Sequence, residues 1–97
     1  MKLRFTERAL RDLQEISSYI REHNPSAAQR VRAAILDSLE LLVIFPDAGR
    51  RQAVEGVRKL VTRSYAYLVY YRVDRTAGEV VILSVRHPAR RREHSDE

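Results

Sequence analysis

Apolar residues alternate with basic ones at the start of the chain, Leu3 and Phe5 against Lys2 and Arg4, which predicts a short strand with one buried side. Thr6 follows as a helix N-cap, since its hydroxyl can accept a hydrogen bond from the first helical turn. The apolar period then lengthens. Ala9, Leu13, Ile16 and Ile20 recur at helical spacing, while Arg8 with Asp12 and Arg11 with Glu15 form exposed i,i+4 pairs. This predicts an amphipathic helix ending near Glu22. His23, Asn24 and Pro25 form the break, with Asn24 as the next N-cap and Pro25 at the first helical position, where a missing N–H costs nothing. Ala28, Val31, Ile35, Leu39, Leu42 and Phe45 carry the second helix until Pro46 closes it in a Pro46-Asp47-Ala48-Gly49 turn. So short a link obliges the two helices to pack antiparallel.

After Gly49 the period changes again. Val57 to Thr62, Tyr67 to Val73 and Val80 to Val85 are β-branched and aromatic runs of strand length, separated by turn residues that include Gly78. In the second run Tyr67, Val69, Tyr71 and Val73 share one face, and Leu68, Tyr70 and Arg72 the other. The third run is apolar on both faces, as a central strand requires. The reading is an α+β fold of order β-α-α-β-β-β, with an N-terminal strand and an antiparallel helical hairpin packed on a mainly antiparallel sheet. One domain spans residues 1–97, and the tail from about residue 88 to 97, rich in arginine and then acidic, is expected to fray.

Composition narrows the classes. The chain has 97 residues and no cysteine, which excludes a multi-domain enzyme, a disulfide scaffold and thiolate chemistry. With 32% charged residues and no long apolar run, a membrane span and a signal segment are not expected, and a soluble cytoplasmic protein is. The net charge of +5 is regional. Residues 1–49 hold seven basic and seven acidic side chains, whereas residues 50–92 hold eleven basic against Glu55, Asp74 and Glu79. That asymmetry points to an acidic or polyanionic partner for the second half. The three glycines form no phosphate-cradling loop, no serine lies in a nucleophile elbow, and His23, His87 and His94 lack metal-ligand spacing. No cofactor or metal is expected.

What remains is a basic and aromatic set: Arg58, Lys59 and Arg63, then Tyr65, Tyr67, Tyr70 and Tyr71, then Arg86, His87 and Arg90 to Arg92. Cations beside tyrosines on a sheet can hold phosphates and stack bases, although tyrosines at alternate strand positions also serve as core. His87, the histidine nearest this cluster, could act as general acid or base in RNA cleavage with arginines stabilising the phosphorane, or could be a structural strand-end residue.

The ordered pieces Phe5-Thr6-x-x-Ala9, Asp12-Leu13-x-x-Ile16, Asn24-Pro25-x-Ala27-Ala28, Phe45-Pro46-x-x-Gly49-Arg50, Gly56-Val57-Arg58-Lys59-Leu60, Tyr70-Tyr71-Arg72-Val73 and His87-Pro88-x-Arg90 cover nearly the whole chain. Together they resemble the RelE/ParE family of toxins from bacterial type II toxin–antitoxin modules, more on the ParE side. The resemblance implies a growth-arresting, plasmid-stabilising toxin neutralised by a cognate antitoxin, which alone contacts operator DNA. It implies either inhibition of DNA gyrase, the preferred target, or mRNA cleavage on the ribosome. For the nuclease branch the matching residues are His87, Arg58, Arg63 and Arg90; for target or antitoxin contact they are Arg58, Lys59, Arg63, Tyr65, Arg86 and Arg90. A non-toxic basic binding module is the third alternative.

Overall fold

A computed structural model describes residues 1–88. Their elements are β1 (Lys2–Phe5), α1 (Glu7–His23), α2 (Pro25–Ile44), β2 (Arg50–Arg51), β3 (Arg58–Val61), β4 (Leu68–Asp74) and β5 (Glu79–Arg86). The expected class and order stand, with a two-residue strand, β2, added after the helices. The five strands lie in the order β1-β5-β4-β3-β2. β1 runs parallel to β5 and the other pairs are antiparallel. The expected fraying tail lies, beyond Pro88, outside the described residues.

Both helices start where the side chains can cap them. The Thr6 hydroxyl accepts from the Ala9 N–H at 3.1 Å and donates to the Leu83 carbonyl at 3.0 Å, so it fixes α1 to β5 as well as starting it. The Asn24 side chain accepts from Ala27 N–H, with Pro25 at the first helical position. Of the expected α2 core residues, Ala28, Val31, Ile35, Leu39 and Leu42 are buried, whereas Phe45 is 58% exposed. Phe45 is the C-cap, so the chain turns away from the helical face one residue before Pro46. Ala9, Val31, Ile35, Leu39 and Leu42 pack on Tyr67, Val69, Tyr71, Val80, Ile82 and Val85 to form the core.

β5 is central, flanked by β1 and β4, as its two apolar faces imply. Its alternation is broken by a bulge: Tyr70 opposes Ser84 and Tyr71 opposes Ile82, which leaves Leu83 as the extra residue. The bulge flips the pleat, so Val80, Ile82 and then Val85 all reach the helix side. Tyr67, Val69, Tyr71 and Val73 face that side together. Lys59, Tyr70 and Ser84 are in register on the opposite face.

Candidate functional site

Strand register separates the basic residues that lie close in sequence. Arg58 opposes Tyr71, on the helix side, whereas the next residue, Lys59, opposes Tyr70 on the other face. The Arg58 guanidinium donates to the Gly49 carbonyl at 2.8 Å and the Asp47 carbonyl at 3.2 Å, and lies 3.6 Å from the Asp47 carboxylate. Asp47 also receives hydrogen bonds on both carboxylate oxygens from a single Arg75 nitrogen, Nη2, at 2.7 and 2.8 Å. Beneath them the fully buried Tyr71 hydroxyl accepts from the Gly49 N–H at 2.8 Å and donates to the Pro46 carbonyl at 2.8 Å. A Cβ on Gly49 would stand 2.6 Å from the Tyr71 ring, so glycine is required there by close approach. Burial raises the Tyr71 phenol above its ordinary pKa, opposed by the Gly49 hydrogen bond and the Arg58 charge. Arg58 thus holds the α2–β2 loop in place, in a network whose spacing along the chain gave no sign of it.

The other expected site residues gather at one end of the sheet. Val61 opposes Leu68 and Leu68 opposes Arg86, so the β3–β4 turn and the end of β5 are neighbours. The Thr62 hydroxyl closes this turn, donating to the Ser64 carbonyl at 2.7 Å and accepting from the Tyr67 N–H at 3.0 Å. Arg63 and Tyr65 are exposed on it. Tyr65 and Ala66 have φ of 66° and 50°, a left-handed conformation that side-chain-bearing residues adopt at a cost of order 1 kcal/mol each. Arg86 is buried, and His87 is exposed with its ring edge-on to Tyr67 at 5.3 Å between centroids. Burial first, and the nearby Tyr19 phenol second, raise the pKa of Tyr67. Lys59 is half-buried, and Arg90 lies outside the described residues. The structure therefore places Arg63, Tyr65, Arg86 and His87 at one end of the sheet, with Arg86 opposite Leu68 on the face away from the helices and His87 against Tyr67 on the helix side, and sets Arg58 further along the strands, opposite Tyr71.

A second feature was not singled out from the sequence. Leu13, Ile16 and Ile20 of α1 are only half-buried, and with Val31, Ile35 and Leu36 of α2 they line a groove of about 630 Å³ between the helices. Arg21 and Arg32 stand on its wall. The signal was present in the helical apolar stripe, which is wider than the sheet beneath can cover. Asp12, expected as an i,i+4 pair partner, is half-buried and accepts from the Val85 N–H at 3.0 Å, which ties α1 to β5 beside the bulge. Among the described residues, no group of three or more His, Cys, Asp or Glu could hold a metal ion, and no helix is long and apolar enough to cross a membrane.

Comparison with known proteins adds the following. The family model for the ParE toxin of the type II toxin-antitoxin system, parDE, matches residues 3–92. The chain is 40% identical over 86 residues to the Y4kP protein of Sinorhizobium fredii, covering 89% of this chain and 86% of that one. It is 37% identical over 86 residues to toxin RelE2 of Caulobacter vibrioides, covering 89% and 93% respectively. Among solved structures it is similar to a chain of the chromosomal ParDE toxin–antitoxin system from P. aeruginosa, with TM-score 0.77, 28% identity and coverage of 90% and 95%. The intact E. coli RelBE toxin–antitoxin complex contains a chain of the same fold, with TM-score 0.62 at 24% identity and coverage of 88% and 93%.

Proposed function

The chain belongs to the ParE toxin family of type II toxin–antitoxin systems, and from that premise we propose that it arrests growth in the cytoplasm by inhibiting DNA gyrase until a cognate antitoxin covers it. The observation that carries the choice of target is the position of Arg58. A ribonuclease of the kind the sequence suggested needs Arg58, Arg63 and His87 around one phosphodiester, because acid–base and electrostatic catalysis demand groups within about 3 Å of the reacting atoms. Arg58 is instead engaged by two carbonyls and the Asp47 carboxylate, and it pairs with Tyr71, four residues or about 13 Å along the strand from Tyr67, against which the His87 ring packs. A protein–protein inhibitor has no such requirement.

The interhelical groove is the surface for the antitoxin. An amphipathic segment of the antitoxin places apolar anchors against Leu13, Ile16 and Ile35 and carboxylates toward Arg21 and Arg32, which combines burial with charge complementarity. Ordering of that segment occurs only on binding, so the complex is readily reversed when the antitoxin is degraded.

One observation favours the ribosome-dependent nuclease as a second reading: Arg63, Tyr65, Arg86 and His87 do cluster at one sheet end. A short induction in bacteria, read by plasmid supercoiling and by mRNA 5′ ends on translating ribosomes, separates the two. Loss of supercoiling with intact mRNA is expected. New codon-phased mRNA ends with normal supercoiling would replace the gyrase reading by the nuclease one. Normal growth at verified expression of folded protein would remove both.

A further inference from the structure

We propose that the sheet face turned away from the helices binds the phosphate backbone of duplex DNA through Arg50, Lys59 and Arg72, independently of the gyrase reading. Strand register places Arg50 opposite Lys59 and Lys59 opposite Tyr70, with Arg72 two residues further along the same face of β4. Strands about 4.8 Å apart and a rise of about 3.3 Å per residue put these three cations within roughly 12 Å of one another. Duplex DNA carries one charge per about 1.7 Å of axis, so a footprint of that length faces about three phosphates on the near side.

Ion pairing separates this patch from Arg4, Arg58 and Arg75 of the same sheet. Asp47 serves Arg58 and Arg75 on the helix side, and Glu79 serves Arg4 at 3.2 Å. Among the described residues Arg50, Lys59 and Arg72 make no ion pair with any carboxylate, and the acidic residues of this face, Asp74 and Glu79, sit at the β4–β5 hairpin. Three cations on one face with no counter-ion among the described residues call for an external anion.

The chemistry around them selects the anion. A protein partner needs several large apolar anchors together, and Leu10, Leu13, Ile16, Ile20 and Leu36 line the interhelical groove, whereas beside Lys59 this face of β3 exposes Val61 alone. Single-stranded nucleic acid is held by successive aromatic platforms, whereas this patch has one half-buried ring, Tyr70. A rigid sheet surface with cations and a phenol, but no element that enters a groove, contacts backbone phosphates and leaves bases unread.

The test is a fluorescence-anisotropy titration of a labelled 20-base-pair duplex with the refolded full chain, between 50 and 200 mM salt. Three neutralised phosphates give a slope of log affinity against log salt of about −2.7, a loss of about 40-fold over that range. Arg50→Gln and Arg72→Gln, both at exposed positions, should each reduce the slope by about one, leaving a loss of about 12-fold. Lys59→Gln should do the same where circular dichroism shows it folded. Arg11→Gln, on exposed α1, should leave affinity and slope unchanged. Equal losses for Arg11→Gln and Arg72→Gln would mean attraction by net charge alone and would overturn the proposal. So would tighter binding of single-stranded DNA or RNA of equal length, or no duplex binding at 50 mM salt. Growth arrest is scored separately, so failure here leaves the gyrase reading standing and the reverse also holds.

Discussion

Replacing Tyr71 by phenylalanine removes one oxygen from the most buried aromatic residue and leaves the ring, so it isolates what the hydroxyl does. Two hydrogen bonds of 2.8 Å disappear, one accepted from Gly49 N–H and one donated to the Pro46 carbonyl. The two lost partners differ. The contact with Gly49 is buried, so its N–H is left without water, at about 1–3 kcal/mol; the Pro46 carbonyl is partly exposed and rehydrates, at about 0.5–1.5 kcal/mol. The expected loss is about 2–3 kcal/mol out of a total that for such domains is about 5–15 kcal/mol. In urea this lowers the midpoint by about 1.5 M at an unchanged slope near 1.5–2 kcal/mol/M, and the melting temperature falls by about 10–20 °C. Far-UV circular dichroism measures both, with Tyr65→Phe, whose residue is 47% exposed, as a control expected to change stability by less than about 0.5 kcal/mol. A Tyr71→Phe loss as small as the control's would show that water reaches Gly49 N–H, and the account of a sealed α2–β2 loop would be wrong.

Arg58→Ala should destabilise the fold by about 1–3 kcal/mol, because the Gly49 carbonyl bond is partly buried; a variant as stable as the parent by urea titration contradicts the structural role. Thr6→Ala removes a cap and the bond to Leu83, for an expected loss of about 1–2 kcal/mol; Thr6→Ser should restore most of it in the same titration. Ile16→Asp places a charge in the interhelical groove and should weaken antitoxin binding at least tenfold by calorimetry with the fold retained; unchanged affinity moves the antitoxin elsewhere. Burial raises the phenol pKa of both Tyr67 and Tyr71, so the folded state holds their protons more tightly than the unfolded chain, whose phenols titrate near 10. Their contribution is complete below about pH 10 and is lost as pH rises through the raised values, so Tyr67→Phe and Tyr71→Phe should each flatten the alkaline fall in stability.

Most of the architecture was legible because period and punctuation agreed. Asn24-Pro25 and Thr6 set the helix starts, the change of apolar period after Gly49 marked the sheet, and Val80 to Val85 was read as central from its two apolar faces. β2 escaped because two residues have no period, and the bulge at Leu83 because its effect appears only in register with Tyr70 and Tyr71. The site was less legible. Arg58 and Lys59 are adjacent in sequence and were grouped, yet a strand turns neighbours to opposite faces, and only pairing with Tyr71 and Tyr70 says which face each one takes. Asp47 looked like a turn residue, and its two arginine partners are 11 and 28 residues away. Arg50 and Arg72 carried no local signal; their pattern exists only across strands.

The pairing of β1 with β5 ties the beginning of the chain to a strand that starts 77 residues after β1, at Lys2 and Glu79. Synthesis proceeds at about 5–20 residues per second, so β1 waits several seconds for its partner to be made. Until β5 is inserted, α1 also lacks its attachments from Thr6 to Leu83 and from Asp12 to Val85. The core has no central layer over that interval. The protein is thus unable to reach its harmful shape while most of it is being translated, and the delay gives the cell an opportunity to supply a neutralising chain before the fold is complete.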